Sequence, residues 1–209
     1  MKTKIYLIIA AVIILSLTLP ARAELITIAI EATVDIVEDY GDYLEGQISP
    51  GSIITGYYTY ESTTPDTNPS GLVGDYWHYS SPCGIFLSVG GFNFQTDLTN
   101  VNFLVEIVNN NAGIDGYLVR SYNNLPLSNS TIVDYISWVL QDYTMDAIST
   151  DALPLTIPIL EDWPSMNDLR LESDRNFLVD AHVTSAVLVP EPATLLFLAF
   201  GALILRKTN

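Results

Sequence analysis

Tyr57, Tyr58, Tyr60, Tyr76, Trp77 and Tyr79 crowd into one short stretch of the chain. Aromatic rings at that density suit a sugar-binding surface, where their faces stack on pyranose rings and nearby acid or amide groups bond the hydroxyls. Tyr58, Tyr76 and Trp77 are the candidate stacking residues. The plainer reading is that alternate members of each run fill a core. A second cluster, Glu38, Asp39, Asp42 and Glu45, offers hard oxygen ligands for calcium, the one cofactor the residues suggest. Its spacing is not that of an EF-hand, so a solvated acidic loop is the competing account. Asp66 and Asn68 pose the same choice.

Catalytic groups are scarce. The only histidines are His78 and His182, about a hundred positions apart, and no lysine lies between the two chain ends to serve as a base or Schiff-base former. His182, between Ala181 and Val183, falls on the polar side of a strand pattern. Cys83 is the single cysteine, so no intramolecular disulfide can form; beside Pro82 and Gly84, with no base nearby, it reads as a small buried hydrophobe. The sequence has no nucleophile elbow, no zinc-protease helix motif and no phosphate loop. A glycosidase needs two carboxylates flanking a cleft, and no pair singles itself out. The residues therefore favour binding over turnover, with a carbohydrate-active enzyme as the rival.

Charge narrows the partners. Of 24 carboxylates Glu191 lies in the C-terminal tail, and of eight cations Lys2, Lys4, Arg22, Arg206 and Lys207 lie at the two ends. The body keeps Arg120, Arg170 and Arg175 against 23 carboxylates, a net charge of −20. Such a body repels phosphate backbones, which excludes nucleic acid as a partner. Its Ile, Val, Leu, Tyr and Trp content is high enough to bury a core, so it folds despite the charge.

The elements that must position these residues are strands. Ile26, Ile28, Ile30, Ala32, Val34 and Ile36 alternate with more polar neighbours over Leu25 to Glu38, and period two with β-branched residues marks a half-buried strand. Val101, Phe103, Val105 and Ile107 repeat the pattern, as do Ala181, Val183, Ser185, Val187 and Val189. Further strands are predicted over Ile53 to Glu61, Trp77 to Ser80, Ile85 to Val89, Ile114 to Tyr122, Ile132 to Leu140 and Phe177 to Val189. Gly90-Gly91, Asn109-Asn110-Asn111 and Asn123-Asn124 supply turns between them. The prolines of Leu153 to Pro164 place that segment at an edge or in coil. The body is predicted to be all-β, one antiparallel β-sandwich of jelly-roll type with about 7–9 short strands.

The two ends carry a different message. Lys2 and Lys4, an apolar run from Ile5 to Leu19, and Ala21-Arg22-Ala23 have the order of a secretory signal peptide with cleavage after Ala23. At the other end Val189-Pro190-Glu191-Pro192 precedes an apolar run from Ala193 to Leu205 and the pair Arg206-Lys207. As a helix that run reaches about 20 Å, short of a hydrocarbon core of about 30 Å. It therefore spans only with bilayer thinning or snorkelling ends. Cations after the span favour the cytoplasmic side, so both ends place the body outside the cytoplasm.

From Val189 to Lys207 this tail resembles the PEP-CTERM sorting domain: a Pro190-Glu191-Pro192 triplet, Ala193-Thr194, a Leu-rich span broken by Gly201, and a basic end at Arg206 and Lys207. The resemblance implies export by the secretion machinery and signal peptidase and a brief hold in the inner membrane of a Gram-negative bacterium. It also implies processing near the triplet by exosortase, a membrane-embedded enzyme similar to cysteine transpeptidases. The basic end is shorter than the family's arginine clusters. The succession of aromatic strand, Thr64-Pro65-Asp66 loop, Gly74-Asp75-Tyr76 strand and Gly90-Gly91 turn with Phe92 and Phe94 is similar to the body of many PEP-CTERM cargo proteins and brings no activity with it. The expected division is a signal peptide over 1–23, a β-sandwich body over 24–188 and a sorting signal with a short transmembrane helix over 189–209. The expected role is a structural or adhesive component of the cell surface or matrix, associated with exopolysaccharide or biofilm.

Overall fold

A computed structural model describes residues 24–190. Ala21, Ala23, Glu191, Pro192, Arg206 and Lys207, with the predicted signal peptide and membrane helix, lie outside the described residues. Pro190, the first residue of the triplet, is exposed just beyond the last strand.

Ten antiparallel strands follow one another: β1 (Leu25–Asp39), β2 (Ile53–Glu61), β3 (Val73–His78), β4 (Gly84–Val89), β5 (Phe92–Gln95), β6 (Phe103–Asn111), β7 (Ile114–Ser121), β8 (Tyr135–Asp142), β9 (Met166–Ser173) and β10 (Phe177–Val189). The only helical element described is the 3-10 turn Leu160–Asp162, and among the described residues no helix is long and apolar enough to cross a membrane. The fold is all-β and antiparallel, as the alternation predicts. A jelly roll divides its strands between two sheets; here they form one sheet in the order β3-β6-β7-β8-β9-β10-β1-β2-β4-β5. That sheet curls until its two halves face each other across the core.

Contacts between the halves fix the curl. The hydroxyls of Tyr58 on β2 and Tyr117 on β7 meet at 2.8 Å, fully buried. Trp138 on β8 sets its ring edge-on to both, with centroids 6.0 Å away. Phe94 on β5 meets Phe177 on β10 at 6.0 Å, and the buried Thr96 and Ser121 hydroxyls lie 2.8 Å apart. The Pro-rich segment after β8 closes one end: Tyr60 donates to the Pro154 carbonyl at 2.7 Å, and Trp163 is buried within 6.5 Å of Tyr117. Gly74 on β3 leaves room for this segment, since a Cβ there would lie 2.4 Å from the Asp151 carbonyl oxygen.

Two irregularities turn faces that simple alternation assigned otherwise. In the β1–β10 ladder Val34 opposes Ala181 and Ile36 opposes Asp180, so Asp35 is the extra residue of a bulge. Past it Ile36 is exposed and Val37 packs on the core instead. On β10, Glu31 opposes Ser185 and Ala32 opposes Val183, which leaves Thr184 unpaired. Val187 and Val189 are consequently exposed, and Ala186 packs against the core.

Strand β3 begins at Val73, earlier than the predicted Trp77, because Gly74, Tyr76 and His78 form its inward face. β5 and β9 were not among the predicted strands. In β9 the buried Leu169 and Leu171 alternate with Asp168, Arg170 and Glu172, a pattern short and charged enough to read as loop. Its ladder bonds come from β8 on one side and β10 on the other.

A loop bonds each sheet edge at one position. Thr67 N–H bonds the Asp75 carbonyl at 3.0 Å along the free side of β3, while Leu125 N–H bonds the Gln95 carbonyl at 2.9 Å along β5. Occupied edge positions suppress pairing with other chains.

Replacing Tyr58 with Phe leaves the Tyr117 hydroxyl buried without its partner, and we expect a loss of about 1–3 kcal/mol in urea denaturation. The double variant Tyr58→Phe/Tyr117→Phe should lose less than the sum of the two single variants, because no orphaned hydroxyl remains. Additive losses would place the closure of the sheet elsewhere.

Candidate functional site

The structure separates the aromatic run by face. Tyr58 and Tyr76 are buried, with Tyr76 donating to the Asp151 carbonyl at 2.9 Å. As stacking residues these two are corrected: both belong to the core, because strand alternation turns every second side chain inward. Trp77, their neighbour, points the other way and is partly exposed on the outer face of β3.

Around Trp77 the register assembles groups from five strands. Trp77 opposes Leu104, Leu104 opposes Arg120, Arg120 opposes Ser137, and Ser137 opposes Arg170. Leu104 is buried although it faces away from the core, since its direct neighbours across the ladder are Trp77 and Arg120. Beside this row runs a strip of rings. The Tyr79 and Trp77 rings are parallel within 4° at 6.1 Å, Tyr122 lies 5.5 Å from Trp77, and Tyr135 meets Tyr122 edge-on at 5.9 Å. Tyr79 and Tyr135 are exposed.

The strip ends in a groove of about 300 Å³ lined by Arg120, Tyr135, Ser137, Val139, Asp168, Arg170 and Glu172. The Arg120 guanidinium carbon is 5.9 Å from the ring centroids of both Tyr122 and Tyr135, within cation–π range. Its Nε is buried with no hydrogen-bond partner. Arg170 bonds Asp180 at 2.8 Å and Asp168 at 3.2 Å, and Arg175 lies 3.6 Å from Asp174. Arg120 makes no ion pair among the described residues.

On the far side of the strip Asp75 and Glu106 oppose each other directly. Burial first, and the Asp75 carboxylate second, push the Glu106 carboxyl above the usual range. Asp75 Oδ2 accepts from the Asn68 amide at 3.1 Å, and Asp66 Oδ1 accepts from the Asp75 N–H at 2.9 Å. Asp66 and Asn68 thus stitch their loop to the edge of β3.

Three of the four carboxylates proposed for calcium accept hydrogen bonds from the protein. Asp39 accepts the N–H groups of Tyr43 at 2.8 Å and Leu44 at 2.9 Å, Glu38 accepts from the Tyr40 hydroxyl, and Glu45 accepts from Asn129 at 3.1 Å. Asp42 adopts a left-handed backbone with φ of 60°. No group of three or more such side chains among the described residues is arranged to hold a metal ion.

His182 faces outward, its Nδ1 2.7 Å from Asp35 at the bulge. His78 is buried, its Nε2 accepting the Glu61 N–H at 3.2 Å, and burial lowers its pKa. Cys83 is buried, and burial followed by the Glu61 charge pushes its thiol up to about 11.

Arg120, Tyr122 and Tyr135 escaped the sequence reading because they stand far along the chain from Trp77. One signal was available: Leu118, Arg120 and Tyr122 are the outward partners of the inward Tyr117, Val119 and Ser121. No protein-family model, curated protein or solved structure matches this chain.

With its thiol held to about 11, Cys83 should react with iodoacetamide at pH 8 roughly a hundredfold more slowly in the folded chain than in denaturant. Mass spectrometry of the alkylated peptide reads the rate. Equal rates would mean an exposed, ordinary thiol.

Proposed function

We propose that this chain is an exported cell-surface or extracellular-matrix protein whose body binds extracellular polysaccharide. The observation that carries the reading is the outer-face strip Tyr79–Trp77–Tyr122–Tyr135, in which successive ring centroids lie 6.1, 5.5 and 5.9 Å apart. Rings spaced along an exposed sheet face offer successive stacking surfaces to a sugar chain, and the groove at the end of the strip offers hydrogen-bonding groups. The facing halves of the curled sheet act as the two layers of a sandwich and hold the strip rigid from behind. Its role is structural or adhesive, in exopolysaccharide or biofilm.

Export and sorting follow from the ends of the chain in this reading. The signal peptide is removed after Ala23, the 193–205 span holds the protein in the inner membrane, and exosortase acts near Pro190-Glu191-Pro192. A second reading, a carbohydrate-active enzyme, draws on the Asp75–Glu106 pair, where a carboxyl with raised pKa stands beside a second carboxylate next to the strip.

A glycan array probed with the full chain, with and without calcium, tests the binding. We expect retention on extracellular polysaccharides, lost about tenfold or more in Trp77→Ala and unchanged in Tyr57→Ala on the other half of the sheet. Equal binding by both variants would remove the strip from the account. Cleavage of a retained glycan, abolished by Glu106→Gln, would select the enzyme. Sorting is read by mass spectrometry of protein from the native host, where an intact C-terminal peptide ending at Asn209 as the major species would replace processing with a permanent tail anchor.

A further inference from the structure

The body carries three arginines among 23 carboxylates, and two of them are neutralised by carboxylates at 2.8 to 3.6 Å. Arg120 is the exception. It is held between two tyrosine rings, its Nε is buried and unpartnered, and its nearest ladder neighbours, Leu104 and Ser137, carry no charge. The Glu106 carboxyl feels its charge, yet no carboxylate among the described residues lies within ion-pair distance of it. A buried Nε with no protein acceptor costs stability, because its desolvation is not offset by a hydrogen bond within the chain.

The groove has a further property. Its lining sets two arginines, Arg120 and Arg170, against two carboxylates, Asp168 and Glu172. Within a body of net charge −20 it is a locally balanced patch, and Arg170 is already committed to Asp168 and Asp180. The planar fork of Arg120 is the group left for an incoming anion, and such a fork matches a carboxylate through two parallel N–H···O bonds.

We propose that the groove beside Tyr135 takes the carboxylate of a uronic acid residue, with Arg120 as its anchor and the Trp77–Tyr122 rings carrying the adjoining sugars. The inference rests on the polysaccharide-binding reading and names the class of sugar. The surrounding negative charge opposes polyanions at long range, so recognition depends on this one contact and discriminates sharply by whether the sugar carries a free carboxylate. A neutral glycan would stack on the strip and leave Arg120 unpaired.

Isothermal titration calorimetry of the full chain in a nonionic detergent, with trigalacturonate and its methyl ester as paired probes, tests this. The ester keeps the sugar rings and removes the charge. We expect the acid to bind at least about tenfold more tightly than the ester. Arg120→Gln should weaken the acid about ten- to hundredfold and leave the ester unchanged, and Arg120→Lys, which keeps the charge without the fork, should fall between. A thermal melt of each variant shows that the sheet is intact. Equal binding of acid and ester, or an unchanged acid affinity in a folded Arg120→Gln, overturns the uronate assignment and leaves the polysaccharide reading standing. Failure of both probes while neutral glycans bind on the array does the same. Failure of every glycan overturns both.

Discussion

The Tyr58 and Tyr117 hydroxyls meet at 2.8 Å in the middle of the core, and the curl of the sheet is what brings them there. The two strands that carry them, β2 and β7, are far apart in the strand order, so their contact measures the closure of the whole sheet. A polar pair in an apolar interior tolerates little misplacement, because buried hydroxyls must replace lost water with one another, here with Tyr60 beside the pair. Trp138 packs against both rings and donates from its indole Nε1 to Asn167 at 2.9 Å, which ties the closure to β9. Burial drives both tyrosine pKa values well above the ordinary range.

With the core closed this way, the outward residues form faces with separate uses. The half formed by β3, β6, β7 and β8 presents the ring strip and Arg120; the stretch formed by β9, β10 and β1 presents the paired Arg170, Asp180, Asp35 and His182. The bulge at Asp35 matters to this division. By inserting one residue it turns Ile36 outward, brings Val37 onto the core and sets Asp35 within 2.7 Å of His182. The ring strip on one half and the Arg170–Asp180 and His182–Asp35 pairs on the other therefore follow from strand register.

Like charge on a body at −20 repels at long range, and loop contacts at Asp75 and Gln95 occupy part of each outer strand. Asp66 and Asn68 in the loop along β3, and Asp39 in the β1–β2 connection, resemble metal ligands by type but accept backbone N–H hydrogen bonds. Acceptor-rich side chains do this work in turns, where the backbone N–H groups have no ladder partner.

The sequence by itself determined the fold class, most of the strands, the place of the Pro-rich segment and the outward position of His182, because each of these depends on local alternation or on the chemistry of single residues. It did not determine which aromatic residues face solvent. Tyr76 and Trp77 are alike in exposure until a strand's inward face is chosen, and in β3 that face is Gly74, Tyr76 and His78. Nor did it reveal β9, whose ladder exists only between β8 and β10, or the bulges, which arise where two strands must stay paired while one carries an extra residue. Above all, the meeting of Trp77, Arg120, Tyr122 and Tyr135 was decided by tertiary structure, because residues remote in the chain become neighbours only when β3 crosses to pair with β6 and the register of three further ladders falls into line.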